Sequence, residues 1–188
     1  MSKHQAAWQK DGFSLRPFTK GEGEKYYLDC FSHPDPEADR LTGSAASFPR
    51  QAVIDHYERA VEDPDRYDFV LVAPDGTFAG EAVINEMDWD ARCANFRIAL
   101  FSPRWRDRGL GSWAAACVRD FAFGVLGLHR LELDVFSFNP RARRVYEKLG
   151  FQVEGVRRQA IPDGDGWGDD ILMAMLEEEW RQLPRTSL

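Results

Sequence analysis

The residues best suited to chemistry lie in one stretch. From Phe101 the chain reads Phe-Ser-Pro-Arg104-Trp-Arg106-Asp-Arg108-Gly109-Leu110-Gly111-Ser112, between an apolar strand-like run and a segment of helix length. Glycines at 109 and 111 let the backbone approach a ligand closely, and the first turn of a helix presents N–H groups that have no intrahelical acceptor. Those groups carry about half a positive charge, and Arg104, Arg106 and Arg108 add to it. Phosphate or pyrophosphate is the natural ligand, so a nucleotide-bearing cofactor is implied. No Lys follows the glycines, which excludes a Walker loop. Ala114 completes only the permissive form of the Rossmann fingerprint, with Glu132 and Asp134 near its acidic position. A nicotinamide-dependent oxidoreductase therefore stays open as an alternative.

A second constellation is Asn139 and Tyr146, seven residues apart and so two turns along one helix face. Ala142, Val145 and Leu149 share that face, and from the stripe alone Tyr146 reads as core. Cys30, Cys93 and Cys117 form no CxxC pair, and His4, His33, His56 and His129 show no metal-ligand spacing. Cys117 sits on an apolar helix face and reads as packing. The acidic loop from Asp163 has Trp167 and Ala174 at the fifth and twelfth positions of a calcium loop, which rules calcium out.

Around these residues the apolar rhythm predicts a short strand at Phe13–Phe18, helices at Gly21–Phe31 and Pro49–Val61, and a loop between them marked by Pro34, Pro36 and Gly43–Ser47. Tyr67–Ala73 and Phe78–Met87 flank the turn Pro74-Asp-Gly-Thr77 as a hairpin, with Cys93–Phe101 as its third strand. A helix at Leu110–Leu126 then leads to a strand at His129–Phe136, a βαβ unit. Asn139-Pro140 caps a helix that ends at Gly150, and Phe151–Val156 pairs with Ile171–Leu176 across a loop at Pro162–Asp170. The fold class is α/β, with a mixed, mostly antiparallel central sheet flanked by helices.

The chain has 188 residues, 44% hydrophobic and 29% charged, as expected for one domain over residues 1–188. A net charge of -7 weighs against nucleic-acid binding. No apolar run suits a signal peptide or a membrane span, so a cytoplasmic protein without membrane contact is expected. An aromatic content of 13% leaves room for a homodimer surface. The net charge averages two regions: residues 101–148 hold nine Lys or Arg against five Asp or Glu, and residues 20–90 hold six against seventeen. The first suits an anionic cofactor and the second a cationic substrate.

Arg106-Asp-Arg-Gly109-Leu-Gly111 resembles the Q/R-x-x-G-x-G/A signature of the GNAT superfamily of acyl-CoA-dependent N-acetyltransferases. Asn139-Pro-Arg-Ala142-Arg143-Arg-Val-Tyr146-Glu-Lys-Leu-Gly150-Phe151 is similar to that family's N-x-x-A-x-x-x-Y-x-x-x-G-F segment. The resemblance covers about residues 10–180, and Gly166–Trp180 looks most like the Rim-type branch, which acetylates protein N-termini and various small amines. It implies acetyl-CoA as cosubstrate, no metal, and a primary amine as acceptor. Ile98, Ala99 and Leu100 would pair with the pantetheine arm, and the amides from Arg106 to Ser112 would hold the pyrophosphate. Asn139 would contact the pantetheine or an ordered water, Arg143 would join the cofactor site, and Tyr146 would protonate the departing thiolate. Many relatives carry a Glu as base early on the strand before the signature, where this chain has Asn95. Glu81 and Glu86 on the neighbouring strand are the candidate bases, and a non-catalytic acyl-CoA-binding or regulatory module stays open.

Overall fold

The computed structural model describes residues 7–33, 35–45 and 47–184; His4, Pro34 and position 46 lie outside them. Eight strands form one sheet in the order β1-β2-β3-β4-β5-β6-β8-β7. They are β1 (Trp8–Lys10), β2 (Phe13–Pro17), β3 (Tyr67–Val72), β4 (Phe78–Asp88), β5 (Cys93–Leu100), β6 (Arg130–Phe136), β7 (Gln152–Asp163) and β8 (Gly166–Leu176). Helices α1 (Gly23–Cys30), α2 (Pro36–Thr42) and α3 (Arg50–Glu62) follow β2, and α4 (Leu110–Gly124) links β5 to β6. Helix α5 (Pro140–Lys148) leads into β7, and α6 (Glu177–Arg181) follows β8.

Every pairing is antiparallel except β5 with β6, the parallel pair that the βαβ rhythm predicts. Between β3 and β4 the Pro74–Thr77 turn closes through Gly76, at φ +83°, and the Ala73 amide donates to Thr77 O at 2.9 Å. One sheet face carries Ala82, Ile84, Phe96 and Leu131 onto α4, whose Leu110, Ala114, Val118 and Phe121 are buried. The opposite face carries Val70 and Phe78 onto α1 and α3 through Tyr26, Val53 and Tyr57. Strand alternation along β4 therefore puts Glu81 on the α1/α3 side and Ala82 on the α4 side.

Four segments differ from the sequence expectation. The expected loop after α1 contains α2, capped by Asp35, whose side chain accepts from the Ala38 amide at 3.1 Å, and closed by Gly43 at φ +68°. None of its residues is buried, so no apolar period announces it. The expected loop at Pro162–Asp170 is mostly ladder, with Ile161 opposite Gly168 and Asp163 opposite Gly166. Strand β7 is an edge, where Pro162 needs no partner for the N–H it lacks. β1 and α6 are too short for a periodic signal to mark.

A buried polar network locks α4 against its neighbours. Asp120 Oδ1 accepts from Arg119 Nε at 2.8 Å and from Trp180 Nε1 of α6 at 2.8 Å, and Arg119 donates to Leu149 O at 2.9 Å. The Arg119 and Asp120 side chains are only 6% and 4% exposed. Removing one partner strands a buried charge, so Asp120→Ala should cost about 3 kcal/mol in urea unfolding; a change within 0.5 kcal/mol, the range of a surface substitution, would show that the pair is not a structural anchor. Among the described residues, no helix is long and apolar enough to cross a membrane.

Candidate active site

The parallel β5–β6 ladder is short. Cys93, Ala94 and Asn95 face Arg130, Leu131 and Glu132, and no pairing continues to the C-terminal halves of the two strands. Phe96, the first residue beyond the ladder, stacks 6.5 Å from Phe151, and Tyr146 meets the Phe151 ring edge-on at 6.1 Å. Beyond this aromatic group the strands part around a cleft of about 420 Å³. Its wall includes Ile98, Ala99 and Leu100 of β5, Gly109, Leu110, Gly111 and Ser112 at the start of α4, and Asn139 and Tyr146 of the α5 segment.

Each wall offers a defined chemistry. On β5 the Phe101 amide donates to Ala79 O at 3.1 Å, so strand alternation turns the backbone groups of Leu100 and Ile98 away from β4, toward the cleft. Gly109 caps α4 at φ +72°, a conformation that favours glycine, and no atom lies within 4 Å of where its Cβ would stand. The first amide of α4 to find a helical acceptor is that of Trp113, which donates to Gly109 O at 3.0 Å. The Leu110, Gly111 and Ser112 amides precede it and have no intrahelical acceptor. They make a helix terminus of the kind that suits an anion, and it opens onto the same cleft as the strand edge.

The arginines are placed differently from the sequence expectation. Arg106 lines the cleft, but its guanidinium is held by Asp35 and, at 2.7 Å, by Glu37, so it anchors α2. Arg104 and Arg108 lie over the ring of the buried Trp105, at 4.1 and 5.9 Å from its centroid. Arg143 is exposed and pairs with Glu147 at 2.8 Å, away from the cleft wall. Asn139 accepts from the Ala142 amide at 3.1 Å as the cap of α5 and donates to Leu41 O at 3.4 Å, so its carboxamide also ties α5 to α2.

Of the titratable candidates, Tyr146 and Glu81 line the cleft, whereas Glu86 does not. Glu86 is exposed at φ +53°, where the β4–β5 register breaks between Asn85 and Asp88. Asn95 lines the cleft and donates to Asn85 Oδ1 at 3.2 Å, an amide pair with no carboxylate. Glu81 lies opposite Ala99 of β5 and accepts a hydrogen bond from the Tyr26 hydroxyl. Burial raises the Glu81 carboxyl above its ordinary pKa, and the Arg97 guanidinium and the Tyr26 hydrogen bond work in the other direction. Burial, and then the Asp134 carboxylate, push the Tyr146 phenol well up, so it stays protonated at neutral pH. Cys117 is fully buried, with its thiol pushed up to about 12 by burial, in keeping with a packing role. Among the described residues, no group of three or more His, Cys, Asp or Glu could hold a metal ion.

Arg97 and Trp105 also line the cleft, as does Asp134, which the sequence marks only for the dinucleotide alternative, and Tyr26 reaches Glu81 from α1. Trp105 stands inside the arginine segment, a signal that was available. Tyr26 resembled any core aromatic on an amphipathic helix.

Residues 13–152 match the acetyltransferase (GNAT) domain family, and the chain belongs to that family. The spermidine N(1)-acetyltransferase of Escherichia coli (strain K12) is 39% identical over 101 residues, which are 54% of this chain and 53% of that protein. A prophage-derived uncharacterized N-acetyltransferase of Bacillus subtilis (strain 168) is 31% identical over 137 residues, 71% of this chain and 75% of that protein. An uncharacterized N-acetyltransferase of the same organism is 35% identical over 81 residues, 43% of this chain and 48% of that protein. The chain thus spans about half the length of the first and third of these relatives. The fold is shared with spermidine N-acetyltransferase from Vibrio cholerae, solved with CoA and spermine: TM-score 0.80 at 20% identity, over 92% of this chain and 100% of that one. None of these likenesses singles out the Rim-type branch.

If Arg106 serves α2, Arg106→Gln should speed amide exchange across Pro36–Thr42, by an opening free energy lower by about 2 kcal/mol, and leave α4 unchanged. Unaltered exchange in α2 would return Arg106 to the anion site.

Proposed function

We propose that the protein is an N-acetyltransferase that moves an acetyl group from acetyl-CoA directly to a primary amine. One observation carries this reading: the parting of β5 and β6 puts an unpaired strand edge, a glycine-opened helix N-terminus, a protonated phenol and a carboxylate around one cleft. The edge at Ile98 and Leu100 suits the amides of a pantetheine arm, and the Leu110–Ser112 amides suit a pyrophosphate. With Arg106 engaged by α2, backbone amides supply most of the anion affinity, and Arg104 and Arg108 add longer-range charge. Acetyl-CoA, when bound, supplies the thioester carbon on which the amine forms its N–C bond as the C–S bond breaks.

The residues divide the proton traffic. An alkyl ammonium has a pKa of about 10 and must lose a proton before its nitrogen can attack. Glu81, whose burial-raised carboxyl is better matched to that task than an ordinary carboxylate, takes the proton. Tyr146, kept neutral by burial, donates its proton to the departing thiolate and is reprotonated, through solvent in the cleft, by the second proton that the nitrogen releases once its N–C bond has formed. The acidic excess of residues 20–90 supports a cationic acceptor, as do relatives named spermidine acetyltransferases. The likeness of Gly166–Trp180 to the Rim-type branch supports a protein N-terminal amine as the second reading. Trp167, 64% exposed on the β7–β8 hairpin, supports self-association of the chain.

Acetyl-CoA at a hundredfold excess over its dissociation constant should stabilise the protein by about 2.7 kcal/mol, and the absence of any thermal shift would overturn the reading. Free-thiol release with a panel holding spermidine, amino acids and N-terminal peptides then separates an enzyme from a binding module, which would bind acetyl-CoA and release none. Tyr146→Phe should lower kcat by about a hundredfold with little change in the KM for acetyl-CoA; full turnover would remove its role. Turnover should fall as pH drops through the raised pKa of Glu81, at a pH above the ordinary carboxylate value of about 4.3. An acid limb at that ordinary value would point to an exposed carboxylate.

A further inference from the structure

The base assigned to Glu81 has a neighbour that neither the signature segments nor the catalytic assignment uses. Tyr26 of α1 is 2% exposed, and its hydroxyl donates to Glu81 Oε2. Its ring is fixed by Phe18, Tyr57, Phe31 and Phe101, with centroids at 5.3, 5.0, 5.2 and 6.0 Å, so the hydroxyl has little freedom to leave the carboxylate. Oε1 has no hydrogen-bond partner among the described residues and is not among their fully buried unpaired polar atoms, so it keeps contact with solvent, and Glu81 is part of the cleft wall.

We propose that Tyr26 is the positioning residue of the acceptor side: by holding Oε2, it presents Oε1 of Glu81 to the substrate ammonium and fixes the oxygen that takes the proton. The inference rests on the reading of Glu81 as the base. When the ammonium gives up its proton, the new O–H bond forms on Oε1, because the Oε2 lone pair facing Tyr26 is already engaged by the phenolic hydrogen. The proton is then held on the cleft side, from which solvent can remove it before the next turnover. Tyr26 does not relay that proton: burial and the Glu81 carboxylate raise its phenol well above the usual value, so it remains a donor throughout. The remaining charged groups around Glu81 are Arg97 on β5 and Arg66 and Asp68 on β3 and its approach; Arg66 and Asp68 are paired to each other at 2.7 Å. Cys30 lies on the same side and donates weakly to Phe78 O at 3.9 Å.

Tyr26→Phe keeps the ring packing and removes only the hydroxyl. Its kcat should fall about tenfold, since orientation is part of what a general base contributes. The acid limb of the kcat profile should move to higher pH, because a donor that favours the charged carboxylate has been lost. A merely structural role would not move that limb. The same shift should appear, without any acceptor, as a higher titration midpoint of the Glu81 side-chain carbon in NMR spectra of ¹³C-labelled protein. Glu81→Gln, run in parallel, separates the two ways of failing. If Glu81→Gln abolishes the acid limb while Tyr26→Phe leaves it and the NMR midpoint in place, Tyr26 does not position the base. If Glu81→Gln keeps full turnover and the limb, Glu81 is not the base, and the role of Tyr26 falls with it.

Discussion

The site depends on where two parallel strands stop pairing. β5 and β6 share three residue pairs, and Phe96, Phe151 and Tyr146 then fill the point of parting. A backbone edge deprived of its neighbour must find other hydrogen-bond partners. Here the edge runs from the aromatic group to the N-terminus of α4, whose first amides also lack partners inside the helix. An extended, amide-bearing ligand with an anionic end satisfies both sets of donors at once. Tyr146 serves twice, as part of the packing that parts the strands and as the phenol on the cleft wall.

The charges follow the same division. The segment that looks most basic in the sequence spends part of that charge inside the molecule, since Arg106 holds Asp35 and Glu37 and so fixes α2 over the cleft. Asn139 reinforces this through its bond to Leu41 of α2. The wall formed by α2 is thus fastened by one residue from each signature segment. The cleft carboxylate, Glu81, is half-buried and accepts a hydrogen bond from Tyr26 of α1, and it comes from a strand that neither signature contains.

Much of this was legible in the chain. The hairpin at Pro74–Thr77, the βαβ crossover and the Asn139 cap each carry a local signal with one physical meaning, and the structure shows all three. The glycine pair correctly marked a helix opening onto a cleft. What local pattern does not contain is the partner of a charge. Arg106 and Asp35 are 71 residues apart, and Tyr26 and Glu81 are 55 apart. Glu81 and Glu86 look equivalent in the sequence. The register break that turns Glu86 outward arises from pairing with β5. Helix α2 was missed because it buries nothing, although Asp35, Pro36 and Gly43 were suitable caps in plain view.

The most direct measurement is hydrogen–deuterium exchange, resolved to single amides, with and without CoA. Protection should rise at Ile98 and Leu100 on the open edge of β5 and at Leu110, Gly111 and Ser112 on α4, with β1 to β3 unchanged. CoA that binds without slowing exchange at those five amides would contradict the account, because the parted strands would then not be where the cofactor lies.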